Sequence, residues 1–254
     1  MTDASQSDPL AEYAAVLGRA QTDPEVIGVV VFGSRAAGPF ATATSDVDCF
    51  IVLADDAIDP DRWHTNHGDP VEIWAIQLAA FGDHALPGSG TEWNRPAFLR
   101  ARVDLDRLDG EIERIVERKR RLTAAEAGTT TRTALGEYLN SLFRALRNLE
   151  GGRTLEGRLD AVECVGPMLT AAFAFEGRVR PFNKWLRFEL AAEPLAEPKL
   201  AGLATIADLI VASPTPDRIR DAFRRMEAVA RRRGFGDVVD GWEPDVAWLR
   251  GGPG

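Results

Sequence analysis

Cysteine, histidine and lysine are scarce in this chain of 254 residues, which holds 2, 3 and 3 of them. Cys49 and Cys164 both sit in apolar stretches. Two such residues cannot build a disulfide framework, and buried free thiols in a reducing compartment are the expectation. His64 and His67 share a segment with Asp69, but their spacing matches no closed zinc site. A surface loop is expected there, with a substrate contact from His64 or His67 as the alternative. The cations are nearly all arginine, so a lysine in a pointed context carries weight. No apolar run reaches membrane-spanning length, and the opening MTDASQSDPL is too polar for a leader. A cytoplasmic protein with no membrane partner is expected. The basic footprint of a nucleic-acid binder is also missing. The net charge is −9 and the pI near 5.0, which argues against nucleic acid and fits a cationic small substrate. At 45% hydrophobic and 27% charged residues, the composition is that of a globular protein with one large domain or two smaller ones.

What is present concentrates in residues 29–53. Val29-Val30-Val31-Phe32 is an apolar run that ends at Gly33-Ser34. After a small-residue loop, Ser45-Asp46-Val47-Asp48 leads into Cys49-Phe50-Ile51-Val52-Leu53. Such runs read as buried strands. Asp46 and Asp48 are two apart, so on an extended chain both carboxylates share a face. Paired oxygen ligands on a rigid edge suit Mg²⁺, which completes its shell with waters and substrate phosphates. Gly33 lets backbone approach a phosphate, and Ser34 adds a hydroxyl. A helical turn starting at Ser34 would aim free N–H groups at the same anion. Arg35 offers a forked phosphate contact.

The pattern Phe-Gly-Ser-Arg-Ala-x-Gly, then Ser-Asp-Val-Asp, resembles the signature of the DNA polymerase β-like nucleotidyltransferase superfamily. It looks most like the small bacterial branch of aminoglycoside and lincosamide nucleotidyltransferases and minimal toxin–antitoxin nucleotidyltransferases. The resemblance implies that Asp46 and Asp48 hold Mg²⁺, that Gly33, Ser34 and Arg35 bind nucleotide, and that a third acid comes from a neighbouring strand. Glu72 is the one charge in a third predicted strand over 71–78, which makes it the candidate. It would complete the metal site or act as general base. A solvent-facing carboxylate is the plain alternative, and Asp104 and Asp106 are rival acids.

Around this stretch, Asp8-Pro9 predicts a helix start, with Leu10, Tyr13, Ala14 and Leu17 at helical spacing and an end near Ala20. A further strand is expected over 98–105 and a helix over 111–122. The pattern then turns helical, and domains of 1–125 and 126–254 are expected. Leu135, Tyr138, Leu139, Leu142, Leu146 and Leu149 form one apolar stripe. A second helix over 154–175 is expected to turn Leu159, Val162, Val165, Leu169 and Phe173 inward. Helices are predicted over 198–212 and 216–233, the latter with a solvated arginine face. Arg180-Pro181-Phe182-Asn183-Lys184-Trp185 resembles an Arg-Pro-Tyr-Asn-Lys-Trp segment of several family members. That makes Lys184 a candidate phosphate contact, with a solvated lysine as the alternative.

The expected fold is α+β: a small mixed sheet with flanking helices, then a helical bundle. The expected reaction moves AMP, or another NMP, from ATP or another NTP to a hydroxyl of a small molecule. The favoured acceptor is an aminoglycoside-like antibiotic. A protein adenylyltransferase of the toxin–antitoxin type and a non-catalytic nucleotide-binding module are the alternatives.

Overall fold

In a computed structural model, residues 8–36 and 40–251 are described. The chain divides into two compact units, Met1–Arg120 and Arg121–Gly254. Their architecture is the expected α+β one.

The first unit opens with α1 (Pro9–Thr22), capped by the Asp8 carboxylate, which accepts from the Leu10 N–H at 3.0 Å. It runs two residues past the expected end. Tyr13 and Ala20 are buried and Leu10 is exposed. Next come β1 (Val26–Phe32), the single turn α2 (Gly33–Ala36) and β2 (Val47–Leu53). A 3₁₀ turn over Pro60–Trp63, β3 (Val71–Gln77) and α3 (Leu78–Asp83) follow. The strand expected over 98–105 begins only at β4 (Arg102–Asp106). Glu92–Arg100 winds as 3₁₀ helix around Pro96, and Phe98 from that turn is fully buried against Phe50 and Phe81. Packing there overrides local strand propensity. The unit ends with α4 (Glu111–Arg120).

The four strands lie in the order β3-β2-β1-β4. β2 is antiparallel to β1 and parallel to β3, and β4 is antiparallel to β1. Alternation divides the side chains between two faces. Val29, Val31, Cys49, Ile51 and Ile73 join Tyr13 and Ala20 of α1 in one core. Burial pushes the Cys49 thiol up to about 12, and the Cys164 thiol likewise. Both cysteines are free. The other face is aromatic, with Phe32 and Phe50 stacked at 4.8 Å and Phe50 and Phe98 at 5.7 Å.

Behind those rings lies a buried lysine beside a half-buried histidine, a grouping that the sequence did not reveal. The Lys119 ammonium donates to the carbonyl of Phe81, and to those of Gly82 at 3.3 Å and His84 at 2.9 Å. It also lies over the Phe81 and Phe98 rings. Burial, and then the charge of Lys119, lower the His84 imidazole to about 4. Its Nε2 lies 2.9 Å from the Asn94 amide nitrogen. The unfolded chain takes up the His84 proton near pH 6.5, whereas the folded chain resists until about pH 4. This contribution is therefore complete above pH 6.5 and is lost as pH falls towards 4. Urea denaturation of the full chain should show stability falling across that window, with a shallower slope in His84→Gln.

The second unit is helical. Thr123 and Glu126 form a capping box for α5 (Ala124–Glu150). Leu135, Tyr138, Leu139, Leu142 and Leu146 of the stripe are buried, and Leu149 is half-buried against the same core. α6 (Thr154–Ala174) packs along α5. Val165, Leu169 and Phe173 face inward, but Leu159 and Val162 do not, being 58% and 47% exposed. The buried side of α6 runs instead through Ala161, Cys164, Val165 and Met168. Small residues on that side allow the helices to approach closely.

After α7 (Leu186–Ala192), the helix expected over 198–212 is divided. Pro198–Leu200 is 3₁₀, Gly202 has φ +73°, and α8 is Leu203–Ala212. α9 (Pro216–Arg232), α10 (Gly236–Asp240) and α11 (Asp245–Leu249) complete the unit. The arginines of α9 are not simply solvated. Arg232 and Arg233 grip buried Glu197, while Arg231 and Arg250 grip buried Glu227. Among the described residues, no helix is long and apolar enough to cross a membrane.

Candidate active site

The site is built at one corner of the sheet by strand register and by alternation along β2. β1 ends at Phe32, which is paired with Asp48 on β2. On its other side Asp48 is paired with Glu72 on β3. Directly opposed residues of neighbouring strands project to the same face, so Asp48 and Glu72 stand side by side. Asp46 precedes β2 by one residue and shares the Asp48 side by alternation. One carboxylate oxygen from each of the three lies within 4.8 Å of the others. Among the described residues this is the one such acidic grouping.

Gly33 makes room for it. Its φ is +71°, and a Cβ added there would stand 2.0 Å from Asp48 Oδ2. The Asp48 carboxylate thus occupies the space that any other residue at position 33 would fill. Ser34 follows in the single turn α2. That turn is too short to count as a helix N-terminus with its own field. The anion site expected from free N–H groups there therefore rests on the Gly33-Ser34 backbone alone.

Arg35 is engaged by the loop that follows it. Its Nη2 donates to the carbonyls of Ser45 at 2.9 Å and Ala43 at 3.3 Å, and its Nε to Ser45 at 3.1 Å. The guanidinium fastens the loop that delivers Asp46, so two of its donor nitrogens serve the protein itself. Residues 37–39 of that loop, which include Ala37 and Gly38 of the motif, lie outside the described residues.

Glu72 is buried at 7% exposed, not a solvent-facing strand carboxylate. Its Oε1 accepts from the Gly68 N–H at 2.7 Å and lies 2.7 Å from His67 Nδ1. The rival acids are engaged elsewhere. Asp104 accepts from the Tyr13 hydroxyl at 2.6 Å and pairs with Arg102 at 2.6 Å. Burial would raise its carboxyl, but Arg102 and Tyr13 hold it below the usual carboxylate range. Asp106 accepts from the Leu108 and Glu113 N–H groups, anchoring the start of α4.

The three grouped carboxylates supply hard oxygen donors only, the donor set that suits Mg²⁺ rather than a thiolate- or imidazole-seeking ion. The room left by Gly33 keeps one of them in place, so these residues fit a divalent cation. His64 lies near Asp61, 3.5 Å away, and does not join the cluster. Lys184, the remaining candidate, belongs to the helical unit. Its Nζ lies 5.4 Å from the Trp185 ring centre, and it lines a groove of about 520 Å³ with Arg180, Asn183, Arg187 and Asp208.

Residues 15–122 match the family model of the nucleotidyltransferase domain. A solved nucleotidyltransferase-like protein from Exiguobacterium sibiricum 255-15 is similar to 91% of this chain and 78% of its own, at 12% identity and a TM-score of 0.49. No curated protein gives a significant match. The chain carries an N-terminal nucleotidyltransferase domain followed by a helical region.

Proposed function

We propose that this nucleotidyltransferase domain moves a nucleoside monophosphate, AMP from ATP in the favoured case, to a hydroxyl of a small molecule. The observation that carries the proposal is the convergence of Asp46, Asp48 and Glu72 within 4.8 Å beside the space kept open by Gly33. In this reading Asp46 and Asp48 hold Mg²⁺. The bound ion neutralises charge on the triphosphate and orients it. Gly33 and Ser34 let the phosphates approach the backbone. Arg35 acts chiefly by holding the Asp46 loop.

Glu72 serves as the third ligand or as the base for the acceptor. As base, its carboxylate takes the hydroxyl proton while the acceptor oxygen bonds to the α-phosphorus and pyrophosphate leaves. Trp74, two residues on from Glu72 along β3, is 40% exposed, and its ring lies tilted against Phe32 with centroids 5.1 Å apart. It offers an apolar wall beside the acids. Lys184 stays a phosphate-contact candidate on the resemblance of its Arg-Pro-Phe-Asn-Lys-Trp segment alone.

The acceptor class, an aminoglycoside-like antibiotic, rests on motif resemblance and on the acidic balance of the chain, which suits a cationic partner. The test is pyrophosphate release with Mg²⁺, each NTP in turn, and a panel of aminoglycosides and lincosamides. Release that needs one acceptor supports the proposal and names the substrate. Mg·NTP binding without release for any acceptor contradicts it. That outcome would favour a protein acceptor or a regulatory module.

A further inference from the structure

The loop before β3 is fastened at several points, and its last contacts converge on Glu72. β3 is an edge strand, so one row of its backbone groups lacks a neighbouring strand. Thr65 covers part of that row. Its hydroxyl accepts from the Ile73 N–H at 2.7 Å and donates to the Val71 carbonyl at 2.9 Å. Those two residues flank Glu72. One turn later the Asp69 carboxylate accepts from the Asn66 N–H at 2.8 Å, closing the loop on itself. Gly68 sits at φ +94°, a conformation that suits glycine and that turns its N–H onto Glu72 Oε1. His67 Nδ1 reaches the same oxygen at 2.7 Å, although its side chain is 96% exposed.

An imidazole so exposed adds little by burial. Its placement on one oxygen of a buried carboxylate is what needs explaining. A glutamate side chain has three torsions, and ordering it costs up to about 2 kcal/mol of conformational entropy. Two donors on Oε1 set the carboxylate plane before any ligand arrives.

We infer that His67 is a positioning residue for Glu72: with the Gly68 N–H it holds Oε1 and leaves Oε2 for the cation that Asp46 and Asp48 bind. This rests on the reading of the three acids as a cation site. Partners of this kind, one layer out from the metal, orient its ligands, and their loss usually lowers metal affinity or activity by about 10–100-fold.

The test is an Mn²⁺ titration of the full chain followed by electron paramagnetic resonance, with thermal unfolding measured beside it. His67→Ala keeps the Gly68 donor, so Mn²⁺ affinity should fall about tenfold with an unchanged unfolding temperature. His67→Asn places an amide N–H where Nδ1 stood and should restore most of that affinity. Wild-type Mn²⁺ affinity in His67→Ala would overturn the inference, as would an equal loss in both variants. Asp46→Asn/Asp48→Asn identifies the other way to fail. If that variant binds Mn²⁺ like the wild type, the acids are not the cation site and the positioning role falls with it.

Discussion

Gly33→Ala should reduce nucleotidyl transfer by about a hundredfold or more while costing only a few kcal/mol of stability. Two effects combine. A non-glycine residue at φ +71° carries about 1–3 kcal/mol of backbone strain. The new methyl would also stand 2.0 Å from Asp48 Oδ2 and 3.0 Å from Cγ, so the carboxylate must move. A shift of about 1 Å in a reacting group is enough for a hundredfold loss. Gly202→Ala separates the two effects. Its φ is +73°, but no atom lies within 4 Å of the added Cβ. It should show the strain in urea denaturation and leave transfer unchanged. Equal activity in the two variants would mean that the space beside Asp48 has no role in the reaction.

Asp46→Asn/Asp48→Asn should lower kcat by at least about 10³-fold without loss of folding. Three carboxylates with oxygens within 4.8 Å repel one another, so neutralising two relieves strain in the chain when no cation is bound. Urea denaturation without metal should therefore show equal or greater stability in the variant. In contrast, Asp104→Asn should keep transfer intact and destabilise the fold, because Asp104 ties Tyr13 of α1 to β4. Steady-state pyrophosphate release and denaturation curves on the same preparations check both expectations.

Much of the site was legible in the sequence because it rests on local rules. Buried strands write themselves as apolar runs, and Val29–Phe32 and Cys49–Leu53 are both strand interior. The spacing of Asp46 and Asp48 places them on one side, and Glu72 stood out as a lone charge in an apolar strand. What the sequence does not carry is register. That Asp48 lies opposite Glu72 depends on a parallel pairing across 24 positions, and no local signal specifies it.

Other contacts are likewise set by the fold and not by local sequence. Nothing local marks the bonds that Arg35 makes to the carbonyls of Ala43 and Ser45. Lys119 reads as one cation of a charged helix, and only the fold encloses it beneath Phe81 and Phe98. His67 lies in the surface loop that its segment predicts, and only its contact with Glu72 has no local signal. On α6 the apolar residues span more than one face, so spacing alone could not tell that Ala161 and Cys164 are buried while Leu159 and Val162 are exposed.

The central claim is that Asp46 and Asp48, with Glu72 beside them, hold a divalent cation against a nucleoside triphosphate. The most direct measurement is a crystal structure of the full chain grown with Mn²⁺ and a non-hydrolysable nucleoside triphosphate, with anomalous scattering used to place the metal. The account predicts a peak about 2.0–2.3 Å from carboxylate oxygens of Asp46 and Asp48, with triphosphate oxygens completing the shell beside Gly33 and Ser34. Bound nucleotide with no metal at these carboxylates, or metal held elsewhere, would contradict it.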